Sequence, residues 1–399
     1  MSNSQSIIDI GNTYFMHTYS QFPIVLQSGT GSTLFDVDGK SYIDMVAGIA
    51  VNSLGYKEEQ LTARLHEVID QGLLHCSNLY WNPYAVKAAQ LLSRLGEMDR
   101  VFFCNSGTEA NEAAIKLVRK WGSLQASDKT DIITMEHSFH GRTYASMTAT
   151  GQTKYQKGFA PLVPGFSYAR FNDIESVQAL VSPKTCAIMV EPIQGEGGIK
   201  PADRAFLQAL RELCDTKDML LVFDEVQCGL GRTGKAFAWQ AYDVKPDVIT
   251  LAKALAGGIP MGALLAKGKA AEVLQPGDHA ATFGGNLLAS AAAVVLLERL
   301  SDGSLTKHVH ESAAYLRKHL ESLCSQFASI VDLRGIGLMM GLELSIPVRP
   351  IIEACMARGL LIAGSGTHVL RFVPPLVISN EEIDKAMVIL REALEHCGA

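Results

Sequence analysis

Apolar positions along this chain follow two rhythms. From about residue 100, short solid apolar runs alternate with longer segments whose apolar residues recur every three or four positions. The solid runs at residues 101–104, 131–135, 186–190, 219–223, 248–251 and 263–266 predict strands buried on both faces. The segments 109–121 and 204–216 predict amphipathic helices between them. Alternation of this kind predicts an α/β fold, a mostly parallel sheet covered by helices.

Upstream, residues 34–42 (LFDVDGKSY) alternate around Asp38-Gly39, a hairpin signal. Residues 57–71 and 85–95 have helical spacing. After Gly285 the character changes. Residues 286–300 and 306–326 predict long helices, with short strands near 330–333, 338–344 and 369–373. Ser379 and Glu382 have the spacing of a capping box before the last helix. This portion predicts a smaller α+β domain.

Composition narrows the class. A 399-residue chain with 19% charged and 48% hydrophobic residues is large enough for two packed domains. A net charge of −6 with scattered Lys and Arg offers no basic face to nucleic acid or an anionic membrane. The apolar run at 287–297 is too short to span a bilayer. The polar start at 1–14 predicts no secretory signal. None of the eight cysteines makes a CxxC pair, so a metal site is not expected, and reduced thiols in a cytoplasmic protein are.

The chemistry gathers at strand ends. One apolar run delivers Asp224 (LLVFDEVQCGLGRTG) and a later one delivers Lys253 (LAKALAGGIP). An acid followed by a lysine is what a pyridoxal 5'-phosphate (PLP) enzyme needs. The amine can form a Schiff base with the cofactor aldehyde, and the carboxylate keeps the pyridine nitrogen protonated. Alone, the pair is equally compatible with solvated strand ends. CNSGTEANEAAIK puts Ser106, Gly107 and Thr108 where a strand turns into a helix, a phosphate-binding end or an ordinary cap. SFHGRT offers Phe139 as a ring to stack on the cofactor, Arg142 as a fork for a carboxylate, and His140. VEPIQGEGG places Glu191 and Glu196, and LRFVPPL places Arg371, as a substrate-handling set or a structural tie. HAATFGGN carries Thr282 in what reads as a turn.

In this order, NSGTEA, FHGRT, VEPIQGEGG, FDEVQCGLGRTG, LAKAL and TFGGN resemble the class III (ω-amino) aminotransferases of the fold-type-I PLP superfamily. The segments YFMHTYSQFPIVL, DMVAGIAVNSLG and LLHCSNLYWNP extend the resemblance, and HCSNLYW resembles the acetylornithine branch. The resemblance implies a large PLP-binding domain at 57–286 with a mostly parallel seven-stranded sheet, a small α+β domain at 287–399, and a segment 1–56 joining the small domain. It implies Lys253 as the Schiff-base lysine, Asp224 at the pyridine nitrogen, and Glu225, Val226 and Gln227 around the ring. Phe139 stacks on the opposite face in that scheme. Ser106, Gly107 and Thr108 hold the phosphate with Thr282 of a second subunit, in a homodimer with shared sites. Arg142 takes the acetylornithine carboxylate, and Arg371 takes that of glutamate or 2-oxoglutarate, neutralised by Glu196 in between. Tyr19, Ile49 and Ala281 fall at substrate-facing positions. Ile49 stands where ornithine-specific relatives carry tyrosine, which suits an acylated amine.

Three segments depart from the family pattern: GYKEEQ, Ala281 in place of a hydroxyl residue, and Asn286-Leu287-Leu288. The implied reaction moves the terminal amine of N2-acetyl-L-ornithine to 2-oxoglutarate, giving N-acetyl-L-glutamate 5-semialdehyde and L-glutamate, a step of arginine biosynthesis. A broader ω-aminotransferase acting on ornithine, succinylornithine, 4-aminobutyrate or succinyl-diaminopimelate stays open, as does a non-catalytic PLP-binding protein.

Overall fold

The computed structural model describes residues 3–399. Its centre is a seven-stranded sheet in the order Arg100–Cys104, Gly262–Ala266, Val248–Leu251, Leu220–Asp224, Thr185–Val190, Asp131–Met135, Phe166–Ala169. Every neighbouring pair is parallel except the two made by Gly262–Ala266, which runs antiparallel to both its neighbours. The central strands TCAIMV, LLVFD and VITL are buried at every position, as solid apolar runs require.

Six strands lie where the pattern puts them. The seventh, Phe166–Ala169, does not show in the hydrophobic pattern, because as an edge strand it is mostly half-buried and carries Ser167 and Tyr168. The strand expected at 219–223 is shifted by one. Met219 donates its N–H to Cys214 O, closing the preceding helix, and Asp224 stays within the strand, in register with Thr250.

Helix Arg204–Thr216 has the expected bounds and buries Phe206, Leu207, Leu210 and Cys214 on one stripe. Helix Gly107–Ser123 lies on the sheet through Ala110, Ala113, Ala114, Leu117 and Val118. Its alanine-rich face brings the helix axis close to the strands, and that closeness sets how its first turn meets the strand ends.

The hairpin at Asp38-Gly39 forms between Thr33–Asp36 and Ser41–Asp44. Asp36 Oδ1 closes it by accepting the N–H groups of Asp38 (3.0 Å) and Lys40 (2.8 Å). Leu360–Leu361 pairs parallel to Ser41–Asp44, tying the two ends of the chain into one small sheet. A second sheet, Ile330–Ile336, Met339–Leu344, Val369–Phe372 and Ala363–Gly364, carries Arg371. Both halves of the capping box at Ser379 and Glu382 are formed, and Glu382 Oε1 also accepts Ser32 N at 3.0 Å. Helices Asn3–Tyr14 and Arg349–Ala357 are present without having been expected. Among the described residues no helix is long and apolar enough to cross a membrane.

Close packing under helix Gly107–Ser123 can be tested at Gly122. A Cβ there would lie 2.0 Å from Lys129 O and 2.6 Å from Cys186 Cβ, both held by backbone or sheet. Gly122→Ala should destabilise the protein by about 1–3 kcal/mol, read as a lower denaturant midpoint. An unchanged midpoint would mean that the helix can lift off the sheet at little cost.

Candidate active site

At the carboxyl ends of the central strands lies a cavity of about 430 Å³, the usual position of a site in an open α/β sheet. Ser106, Gly107, Thr108, Phe139, His140, Arg142, Glu191, Glu196, Asp224, Val226, Gln227 and Lys253 all line it. The sheet therefore gathers residues from five separate stretches of chain around one space.

Asp224 forms one wall, 3% exposed. Its Oδ2 accepts Asn111 Nδ2 at 2.8 Å and faces His140 Nδ1 at 2.8 Å, while Oδ1 accepts Val226 N at 3.0 Å. Burying a carboxylate this deeply is costly unless donors such as these replace the water. Burial works against a charged His140 ring, but the hydrogen bond and charge of Asp224, with Glu191 behind them, hold its pKa above the ordinary value. His140 is thus bound into the Asp224 cluster. Asn111 was missed in the sequence. Its signal was a polar residue among Ala110, Ala113 and Ala114 on the buried face of a helix, which asks for a buried partner.

Lys253 opens a short 3-10 turn with φ at +44°, a left-handed conformation that a lysine adopts only under constraint. Such strain costs on the order of 1–3 kcal/mol and concentrates at functional sites. Burial pushes its amine below the ordinary lysine pKa; Glu196 pulls the other way and Arg371 adds to the fall. More of the amine is therefore neutral, the form that acts as nucleophile or base.

Ser106 caps helix Gly107–Ser123, accepting Glu109 N and donating to Glu109 Oε2 at 2.9 Å. Gly107 and Thr108, the first residues of the helix, line the cavity, which places a helix N-terminus of the anion-binding kind at its edge. Gly107 has no room for a side chain, since a Cβ would come within 2.8 Å of Val226 Cγ1. Gly141, at φ +135°, lets the SFHGRT loop turn over Thr108, whose Oγ1 would lie 2.3 Å from any Cβ there.

Arg371 is 2% exposed and does not line the cavity. It pairs with Glu196 and also donates to Gly195 O at 3.3 Å and to Gln227 Oε1 at 3.5 Å. Glu196, which does line the cavity, stands in front of it. Burial works to raise the Glu196 pKa, but the charge and hydrogen bond of Arg371 hold it below the ordinary carboxylate value. Glu191 joins two loops, accepting Phe139 N at 2.9 Å and Gly195 N at 3.2 Å.

The other expected residues lie elsewhere. Glu225 turns its carboxylate to the N–H groups of Ala238 and Trp239, at the start of helix Ala238–Tyr242, and does not line the cavity. Burial pushes its pKa up to about 7, against those two hydrogen bonds. Tyr19 and Ile49 are exposed, Ile49 within a turn whose residues Ala47 to Ala50 all have positive φ. Ala281 and Thr282 lie on a separate turn, where Ala281 O accepts Asn78 Nδ2 at 2.8 Å. No group of residues suited to hold a metal ion occurs among the described residues.

The sheet, the buried aspartate and the strained lysine define a class of enzyme, and comparison with known proteins names it. Residues 14–394 match the family model described as aminotransferase class-III, and the chain belongs to that family, whose members use PLP. It is 45% identical to the acetylornithine aminotransferase of Clostridium acetobutylicum over 97% of this chain and 100% of that one. A solved N-acetylornithine aminotransferase from Stenotrophomonas maltophilia superposes with a TM-score of 0.84 at 39% identity, covering 98% of each chain. An ornithine aminotransferase from Toxoplasma gondii superposes with a TM-score of 0.94 at 30% identity, covering 100% of this chain and 96% of that one.

The residues present fit PLP. A buried carboxylate, a desolvated lysine, a helix N-terminus with a glycine that leaves no space for a side chain, and a phenyl ring face one cavity. The Asp224 cluster is built wholly of donors aimed at a carboxylate, so an amide must turn its NH2 toward one of them. Asp224→Asn should slow transamination by about 10- to 150-fold, the worth of a hydrogen bond to a charged group, while PLP absorbance shows the cofactor retained. A loss of only a few-fold would mean that another group keeps the ring nitrogen protonated.

Proposed function

We propose that this protein is an acetylornithine aminotransferase: N2-acetyl-L-ornithine and 2-oxoglutarate give N-acetyl-L-glutamate 5-semialdehyde and L-glutamate, in arginine biosynthesis. The observation that carries the reading is the unequal state of two arginines. Arg371 is buried and neutralised by Glu196, whereas Arg142 is exposed at the cavity and pairs with no carboxylate among the described residues. A site with one masked and one open arginine suits a donor with one carboxylate and an acceptor with two.

When bound, PLP supplies the aldehyde that takes the substrate amine and a ring that draws electrons from the amine-bearing carbon. Asp224 would hold a proton at the ring nitrogen, with His140 and Asn111 fixing its carboxylate. Gly107 and Thr108 would hold the phosphate, Phe139 would cover the ring, and Val226 would lie under it. Gln227 would donate to the ring oxygen. Lys253 Nζ, kept partly neutral by burial, moves the proton from the substrate carbon. In the donor half, Arg142 alone takes the α-carboxylate. In the acceptor half, Glu196 turns aside, Arg371 takes the α-carboxylate of 2-oxoglutarate, and Arg142 takes the distal one.

The fold alone does not choose the substrate, since an ornithine enzyme superposes as well as an acetylornithine one. Sequence similarity favours the acetylated donor: the relatives at 44% to 48% identity carry that activity in their names. The exposed Leu79, Tyr80, Trp81 and Phe283 around Ala281 support a homodimer, in which the partner's Thr282 completes the phosphate site. Eight cysteines without a disulfide suit the cytoplasm.

A panel of donors with 2-oxoglutarate decides the substrate. N2-acetylornithine should give the highest kcat/KM among ornithine, succinylornithine, 4-aminobutyrate and succinyl-diaminopimelate, and a higher value for any other donor overturns the assignment. Lys253→Ala should fold and lose turnover; near-normal transamination by that variant removes the catalytic reading. For the two arginines, single-turnover absorbance separates the halves. Arg371→Ala should slow the glutamate/2-oxoglutarate half by about 10- to 150-fold and the acetylornithine half far less. Equal losses in both halves would rule out the exchange between Glu196 and substrate.

A further inference from the structure

Arg142 carries the substrate contact of both half-reactions in the reading above, yet it is exposed and no carboxylate holds its side chain. Aromatic rings hold it instead. Its guanidinium carbon lies 4.1 Å from the centroid of Tyr155 and 5.5 Å from that of Phe139. The two rings meet edge to face at 5.6 Å and 79°, forming a corner in which the guanidinium sits. Tyr155 belongs to the short helix Thr153–Gln156 and does not line the cavity, so it reaches the site only through Arg142 and Phe139.

We infer that Tyr155 is a positioning residue that aims Arg142 at the substrate carboxylate. A guanidinium is flat. Its faces are weakly hydrated and stack on rings, while its five N–H donors lie in the plane at the edge. Stacking on Tyr155 therefore fixes the plane of the fork and leaves its donors free. An ion pair with a protein carboxylate would fix the fork equally well, but would occupy the donors that the substrate needs. This is the difference between Arg142 and Arg371, which is held by Glu196 and has to be released.

The backbone supports the same placement. Thr108 Oγ1 accepts Arg142 N and Thr143 N, each at 3.2 Å. Glu112 Oε1 accepts Thr143 Oγ1, and the N–H groups of Ala145 at 3.1 Å and Ser146 at 3.0 Å. Arg142 thus leaves a main chain pinned to helix Gly107–Ser123 and meets Tyr155 at its far end. Lys154 Nζ lies 4.7 Å from the same Tyr155 ring, so that ring carries two cations next to where an anionic substrate must dock.

The inference rests on Arg142 as the carboxylate ligand, and its test separates the two claims. The probe is a pair of donors that differ only in the carboxylate, N2-acetylornithine and N-acetyl-1,4-diaminobutane, compared by single turnover of PLP-loaded enzyme. Tyr155→Leu should lower the preference for the carboxylate-bearing donor by about 2- to 5-fold, the worth of a cation–π contact at an exposed site, chiefly through the donor concentration that gives half the maximal single-turnover rate. Tyr155→Phe, which keeps the ring, should keep the wild-type preference. Arg142→Gln should abolish most of the preference. Should the leucine variant fail to load cofactor, Tyr155→Met makes the same comparison. If Arg142→Gln removes the preference and Tyr155→Leu slows both donors equally, Tyr155 is merely structural and the inference fails while the role of Arg142 stands. If Arg142→Gln leaves the preference intact, both fail. A phenylalanine variant as impaired as the leucine one would also overturn the inference, because the ring would not be the agent.

Discussion

A carboxylate buried at the end of a central strand is the constraint around which this molecule is arranged. Taking Asp224 out of water costs several kcal/mol unless donors replace the water. The fold supplies Val226 N from the adjoining turn, Asn111 from the helix on the sheet, and His140 from the loop after Asp131–Met135, two strands away in the sheet. Each donor fixes one boundary of the cavity. Asn111 sets the rotation of helix Gly107–Ser123, and with it the helix N-terminus. His140 sets the loop that carries Phe139 and Arg142. The charge at the base of the site and the shape of its walls are therefore one problem with one solution.

A second buried charge, Arg371, is treated differently. It comes from the C-terminal sheet and meets Glu196 on a loop of the central one. The Glu191 carboxylate, accepting Gly195 N and Phe139 N, holds that loop to the Phe139 loop from one side. Ser365 holds it from the other, donating to Gly195 O at 2.9 Å and accepting Gly198 N at 2.9 Å. With the backbone held at both ends, a change of partner at Arg371 can be confined to the Glu196 side chain. Removing one member of such a pair without replacing it leaves a buried charge uncompensated, which is why an exchange with a substrate carboxylate is balanced and simple loss is not.

Lys253 links these two charge systems. Its amine feels Glu196 and Asp224 on one side and Arg371 on the other, within a space that burial keeps poor in water. The left-handed backbone at Lys253 shows that packing of the adjacent buried residues Ala254, Leu255 and Ala256, and not local preference, decides where the amine points. A proton-transfer group placed this way depends on the whole core behind it.

Much of this was legible in the chain itself. Solid apolar runs located six of the seven central strands, because a strand buried on both faces must be apolar throughout. The 204–216 helix and the Ser379–Glu382 cap were equally plain, since each depends on residues within a turn or two. The strands also showed which residues stand at their ends, so Asp224, Lys253 and Glu191 were visible as candidates. Contacts across the fold were not legible. His140 and Asn111 are 84 and 113 residues from Asp224, and nothing in either segment alone says which acid it will meet. Glu225, adjacent to Asp224 in sequence, faces the opposite way because successive side chains leave a strand end on opposite faces. Tyr155 carries no signal in the sequence, and only the fold brings Arg142 onto its ring. Periodicity is a local property and names what is buried; the partner of a buried or exposed charge is set by which distant segments the sheet order brings together, and only the tertiary structure decides that.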